Sequence, residues 1–218
     1  MIELRREGSV AIVQMRSGEN RFNPTFISEL MGALDEAEHA DEPTALVLTG
    51  EGRFFSNGLD LAWMSGEGRE RAGEVLSGML GIFARILGSP IPSVAALNGH
   101  AFAGGAMLAL ACDFRVMRTD RGFFCIPEID LGLPLHPGMS ALIQARLPKL
   151  AAHEAIVTGR RYGGDEAAAR GIVDYATAEI DLLPKAIALA APLAGKNRVV
   201  MQTHKRLLYG DVLKLLAG

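Results

Sequence analysis

Phe54-Phe55-Ser56-Asn57-Gly58-Leu59-Asp60 and Asn98-Gly99-His100-Ala101-Phe102-Ala103-Gly104-Gly105-Ala106-Met107 decide how this chain of 218 residues reads. Each stretch follows a predicted buried strand. Each ends in a glycine turn that frees backbone N–H groups before or at the start of a helix. Two such turns facing each other can hold one oxygen between two donors, which stabilises an enolate or a tetrahedral anion. Gly104-Gly105 lets the backbone approach a ligand, and the helix opening there points its positive end at the same place. Taken one at a time, the same glycines could serve only tight strand-to-helix packing.

The flanking sequence supplies an α/β frame. Ile2 to Arg6 and Val10 to Met15 predict a hairpin around Gly8. Asn23-Pro24 predicts a helix start, and Phe26, Ile27, Leu30, Ala33, Leu34 and Ala37 recur at helical spacing. Ala45 to Thr49 and Ser93 to Leu97 read as buried strands. Between them, Ser65 to Gly73 reads as a mobile loop and Val75 to Leu87 as a helix. Phe114 to Met117 and Gly122 to Ile126 predict further strands. Helices are expected at Gly138 to Arg146, Leu150 to Val157, Asp165 to Arg170, Leu182 to Ala194, and from Arg198 onward. The pattern divides into a core over 1–157 and a helical C-terminal region over 158–218.

Composition narrows the function classes. The chain is 49% apolar and 22% charged, ordinary values for a globular protein that can bury a core. The net charge is −3 and no basic run reaches nucleic-acid density, so nucleic acid and anionic membranes are not expected partners. No apolar stretch is long and uninterrupted enough for a membrane span, and the N-terminus lacks a signal-peptide core. Cys112 and Cys125 fit no zinc spacing and read as reduced, buried thiols of a cytoplasmic protein. Gly138-Met139-Ser140-Ala141-Leu142 lacks the last glycine of a nucleophile elbow, His153-Glu154 lacks a second zincin histidine, and no metal is called for.

Six collinear segments then resemble one family. They are Phe54 to Leu61, Pro92 to Gly105, Cys112-Asp113-Phe114-Arg115, Pro127-Glu128-Ile129 through Leu131-Gly132-Leu133-Pro134, Thr158-Gly159-Arg160-Arg161-Tyr162, and Ala169 to Asp174. Together they resemble the crotonase (enoyl-CoA hydratase/isomerase) superfamily. The resemblance implies a ββα spiral core carrying an acyl-CoA site, with the C-terminal region serving oligomerisation as a homotrimer or a hexamer. It implies a role in fatty acid metabolism and no cofactor, because CoA is part of the substrate. By position the oxyanion donors are the amides of Leu59 and Gly104. The carbonyls of Asn57 and Leu61 fall near adenine. Arg21, like Arg16, lies where the family often meets CoA phosphates. Lys205 and Arg206 lie where the C-terminal region of related trimers reaches a neighbour's CoA.

The acid–base residues differ from the hydratase pattern. Family hydratases use two glutamates, and here the first position holds Met107, which cannot move a proton. The second is Glu128. One glutamate suffices to take a proton from C2 of a 3-enoyl-CoA and return it at C4, provided an oxyanion hole holds the dienolate. The sequence thus resembles the single-glutamate enoyl-CoA delta isomerases most closely. Phe124, Ile126, Ile129, Leu131 and Met107 are expected to surround Glu128 and raise its pKa. Read by residue type alone, Glu128 is a carboxylate capping a turn. His136 aligns with an aspartate of dienoyl-CoA isomerases and is a candidate second acid/base. Asp130 is a third candidate, or a turn residue. His100 is expected to line the site wall or cap the helix. Alternatives to isomerisation are hydration, thioester hydrolysis, or acyl-CoA binding without turnover.

Overall fold

The computed structural model describes residues 1–218. Strand β1 (Ile2–Glu7) turns at Gly8 into β2 (Val10–Met15), with Glu7 opposite Val10 in antiparallel register. From β2 the main sheet runs parallel through β3 (Ala45–Gly50), β5 (Ser93–Leu97), β7 (Phe114–Arg118) and β9 (Tyr175–Thr177), in that spatial order. A second, parallel sheet has the order β4 (Phe54–Ser56), β6 (His100–Phe102), β8 (Phe124–Cys125).

The inner strands of the main sheet are apolar at successive positions because both faces are covered. Ala11, Val13, Leu46, Leu48, Ala95, Leu97 and Met117 face the larger core. Val10, Ile12, Val47, Val94, Ala96 and Val116 face the smaller one. The period of two along each strand sorts the residues between these cores. Ile12 and Val47 are fully buried, and each such side chain contributes roughly 1.5–3 kcal/mol.

Helix α1 (Pro24–Glu38) begins as its sequence predicts. Asn23 Oδ1 accepts the Phe26 N–H at 3.0 Å, and Pro24 occupies the first position. It buries Phe26, Leu30, Leu34 and Ala37 in the larger core. After the short helix α2 (Leu61–Ser65), α3 (Ala72–Leu87), α4 (Gly104–Ala111) and α5 (Pro137–Arg146) add to the same core. Helices α6 (Lys149–Thr158) and α7 (Gly164–Ala169) follow. Leu182, Ala186 and Ala190 of α8 (Glu179–Ala190), spaced four apart, cover the opposite face of the sheet. Val212 and Leu216 of α9 (Arg198–Ala217) close the larger core. No helix is long and apolar enough to cross a membrane.

Two expectations need correction. The segment read as a mobile loop over Ser65 to Gly73 is folded. It runs from the last residue of α2 at Ser65 through a 3-10 turn at Arg69–Arg71 into α3, which starts at Ala72. Gly68 lies flat on the Trp63 indole, so close that a β-carbon there would meet the ring at 2.2 Å, and its N–H donates to the Trp63 carbonyl at 2.9 Å. That contact between positions five apart has no periodic signature. Second, the region 158–218 is not wholly helical, because β9 pairs with β7, with Met117 opposite Ala176.

Candidate active site

The three strands of the small sheet run parallel, so they end at one edge. Strand β4 leads into Asn57-Gly58-Leu59, β6 into Ala103-Gly104, and β8 into Ile126-Pro127-Glu128. The chain thereby brings two glycine turns and one carboxylate to the carboxyl ends of neighbouring strands, where α/β folds commonly bind ligands. The Ala103 N–H donates to the Cys125 carbonyl at 3.1 Å, tying the second turn to β8 three residues before Glu128.

The two turns touch. A β-carbon on Gly58, whose φ is +74°, would stand 3.0 Å from the Gly104 nitrogen. The peptide planes are fixed from behind. Gly58 C=O accepts the Phe22 N–H at 2.8 Å, and Ala103 C=O accepts the Met107 N–H at 3.1 Å. In a planar trans peptide the N–H points opposite to the C=O. The Leu59 and Gly104 amides are therefore each turned away from a carbonyl that is already engaged. Neither donates a hydrogen bond in any turn, loop or cap of the chain.

Helix α4 adds its dipole to the second turn. Its first residue is Gly104, and all eight residues are buried. At its far end the Arg146 guanidinium donates to the carbonyls of Leu110 (3.0 Å), Cys112 (2.8 Å) and Asp113 (2.7 Å). A cation at the C-terminal end and a free amide at the N-terminal end both agree with the helix polarity. Ala103, just before α4, has φ 51° and ψ −122°, a strained backbone for a residue with a β-carbon.

Glu128 behaves as the sequence predicts for a carboxyl in an apolar setting. Its Oε2 is shielded from solvent and has no hydrogen-bond partner. Burial raises its pKa above the ordinary glutamate value, opposed only by a hydrogen bond from its own backbone. Phe124, Ile126 and Met107 are fully buried as expected. Ile129 and Leu131 are not: both are exposed, because the turn after Pro127 carries them outward.

The remaining candidates sort by their partners. Arg21 is held by Glu19, whose Oε2 also accepts the Asn57 side-chain amide at 2.7 Å. Arg21 and Asn57 are thus joined through Glu19, while Leu61 is exposed at the start of α2. Arg16 pairs with Glu3 and Glu51. His136 caps α5, its Nδ1 accepting the Gly138 N–H at 3.1 Å. The Asp130 carboxylate lies against Gly159. His100 neither caps α4 nor meets a donor: its ring packs among Phe54, Phe102 and Phe123, with centroids 5.3, 4.8 and 5.7 Å away. Burial, then Arg53 and Arg161, lower its pKa below the ordinary histidine value. Lys205 is also corrected. It is 4% exposed, and its ammonium is engaged by Asp113 at 2.7 Å and the Ile91 carbonyl at 3.2 Å, so it does not reach outward toward a ligand. Arg206 is exposed.

Three site-building residues escaped the sequence reading. Glu19 binds Arg21 and Asn57, Asn20 underpins β4, and Met79 places its sulfur against Gly104. Only Asn20 had a local signal, as a turn residue closing Ser17-Gly18-Glu19-Asn20. No group of three or more His, Cys, Asp or Glu side chains has the arrangement of a metal site. Burial raises the Cys112 and Cys125 thiols to about 12 and about 11, which leaves them unreactive. The surface concavity between Pro24, Ile27, Ser28, Arg71, Glu74 and Val75 contains none of the groups at the strand ends.

Known proteins are similar to this chain along nearly its whole length. A family model described as enoyl-CoA hydratase/isomerase matches residues 5–213. Enoyl-CoA delta isomerase 3 of Arabidopsis thaliana is 34% identical over 226 residues, covering 99% of this chain and 95% of its own. A putative enoyl-CoA hydratase of Thermus thermophilus is 34% identical over 207 residues, covering 93% of this chain and 81% of its own. A solved structure of an enoyl-CoA isomerase from Mycobacterium tuberculosis superposes with a TM-score of 0.90 at 29% identity, covering 99% of this chain and 93% of that one. The spiral α/β architecture is shared along the whole length, and the chain belongs to the enoyl-CoA hydratase/isomerase family.

Proposed function

We propose that the protein is an acyl-CoA enzyme that converts a 3-enoyl-CoA to a 2-enoyl-CoA, with Glu128 as its single proton shuttle. The observation that carries this reading is the common edge at which β4, β6 and β8 deliver the Leu59 amide, the Gly104 amide and Glu128. The thioester oxygen sits between the two amides. The Glu128 carboxylate takes a proton from C2, the charge spreads over oxygen and C4, and the acid formed returns the proton to C4. Each amide donor contributes on the order of 3 kcal/mol at the transition state. A carboxyl whose pKa is raised by burial is suited to both halves of the transfer.

Met107 favours isomerisation over hydration. It stands where family hydratases have a glutamate, and it is fully buried in α4. The isomerase names of the plant relatives agree. The hydratase names of others keep water addition as the second reading. The Asn57 carbonyl and Arg21, with the Leu61 carbonyl that also accepts the Ser65 hydroxyl at 2.8 Å, are assigned to the nucleotide end of CoA, which enters as part of the substrate and leaves as part of the product rather than being held as a cofactor. Exposed Leu207 and Leu208 on α9 fit burial in a homotrimer or hexamer.

The test supplies purified protein with 3-trans-hexenoyl-CoA and follows the conjugated 2-enoyl thioester. Conversion that disappears in Glu128→Gln supports the reading. Water addition to crotonyl-CoA at a comparable rate overturns it in favour of hydration. Binding without turnover overturns it in favour of a non-catalytic acyl-CoA protein.

A further inference from the structure

Ser56 touches both glycine turns. Its hydroxyl accepts the Gly58 N–H at 3.3 Å and donates to the Asn20 carbonyl at 2.7 Å. Its backbone supports the second turn from below: a β-carbon on Gly105 would fall 2.1 Å from the Ser56 carbonyl oxygen. Ser56 and Asn20 are both 0% exposed.

Asn20 is itself tightly held. It takes the left-handed φ of 50°, which asparagine tolerates better than most residues. Its amide donates to the carbonyls of Met15 (3.2 Å) and Phe55 (3.0 Å), and its Oδ1 accepts the Ser17 N–H at 2.8 Å. The end of β2, the turn after it and β4 are thereby locked together, with the Asn20 carbonyl facing Ser56.

We propose that Ser56, anchored by Asn20, is a positioning residue that keeps the Leu59 and Gly104 amides aimed at one oxygen. The inference rests on the isomerase reading above. Ser56 acts through Gly58: its hydroxyl fixes the front of the turn while the Phe22 N–H fixes the Gly58 carbonyl behind it. The oxygen carries more charge in the transition state than in the bound thioester, so loss of aim lowers kcat more than affinity.

The experiment compares wild type, Ser56→Ala and Ser56→Cys. It measures thermal unfolding, hexanoyl-CoA affinity, kcat on 3-trans-hexenoyl-CoA, and the infrared stretch of the bound thioester carbonyl. Ser56→Ala is expected to unfold cooperatively and to bind hexanoyl-CoA within about threefold of wild type. Its kcat falls about 10- to 100-fold, less than the roughly 100- to 1,000-fold lost when an oxyanion donor is removed outright, because the amides remain and only their aim is loosened. Its carbonyl stretch moves back toward the free-solution frequency, and Ser56→Cys lies between the two proteins. An unchanged kcat overturns the proposal. So does a lower kcat with an unchanged stretch, which assigns Ser56 a merely structural role. If Ser56→Ala does not fold, the same readouts on Ser56→Cys decide. A wild type that shifts the stretch without isomerising refutes the isomerase reading, and the Ser56 variants are then judged on the stretch alone.

Discussion

The Met79 sulfur lies against Gly104, so that a β-carbon on that glycine would stand 2.6 Å from Sδ. At the next residue the obstacle is backbone: a β-carbon on Gly105 would stand 2.1 Å from the Ser56 carbonyl oxygen. Adjacent glycines therefore have different tolerances. Gly104→Ala is expected to fold, because a methionine side chain can move aside, and to lose activity as Met79 shifts at the pocket. Gly105→Ala is expected to lose about 1–3 kcal/mol or more, the cost of overpacking. Denaturant melts of both variants, read beside hexenoyl-CoA turnover, check the contrast.

Glu128 sets a pH dependence of defined sign. Its native pKa lies above the ordinary glutamate value because burial disfavours the charge. The native protein therefore holds the proton more tightly than the unfolded chain. The group's contribution to stability falls as pH rises from the ordinary glutamate range through the native pKa, and is flat above it. Glu128→Gln is expected to remove that component and to be at least as stable as wild type at neutral pH. Urea melts at several pH values check this. Because the base must be ionised to accept the C2 proton, kcat/KM of the wild type should fall on the acid side, with a midpoint above the ordinary glutamate range.

Lys205 is a structural cation. Removing it leaves the half-buried Asp113 carboxylate without its ammonium partner and the Ile91 carbonyl without a donor. Lys205→Ala is expected to destabilise by about 3–5 kcal/mol, as for other broken buried pairs. The KM for hexenoyl-CoA should stay within about twofold where the variant is folded. A large rise in KM with unchanged stability would return Lys205 to a ligand-binding role.

Glu19 organises the nucleotide end of the proposed site. It holds the Arg21 guanidinium and the Asn57 amide, and those two groups lower its pKa, Asn57 first. Glu19→Gln keeps the shape and removes the charge. The expected result is a KM raised about 3- to 10-fold, equivalent to one ordinary net hydrogen bond of about 0.6–1.4 kcal/mol, with kcat within twofold. Steady-state kinetics with hexenoyl-CoA and competition by free CoA check it.

The sequence carried much of this because its signals are local. The buried strands announce themselves as unbroken apolar runs such as Ala45 to Leu48, and α1 by Asn23-Pro24 followed by helical spacing. The glycine turns marked where the unengaged Leu59 and Gly104 amides lie along the chain. What stayed hidden depends on contacts across the fold. Three-residue strands such as β4 and β6 are defined by partners forty-odd residues away. Trp63 orders its glycine-rich neighbours by packing, which no period reveals. Lys205 on α9 and Asp113 after α4 are remote in sequence, so a buried ion pair looked like a free surface charge. Ile129 and Leu131 are apolar residues that the turn after Pro127 faces outward, where hydropathy alone had put them inside.

Arg146 gives α4 a consequence beyond its own end. With eight residues at 1.5 Å each, the helix is a strut about 12 Å long. One tip carries the Gly104 amide proposed to hold the reacting oxygen, and the other is bolted through Arg146 to α5, a helix outside the small sheet. Tyr209 on α9 holds that same guanidinium from the other side. Lesions in the last tenth of the chain can thus register as lost turnover at the opposite end of the rod, with no residue near the thioester having changed.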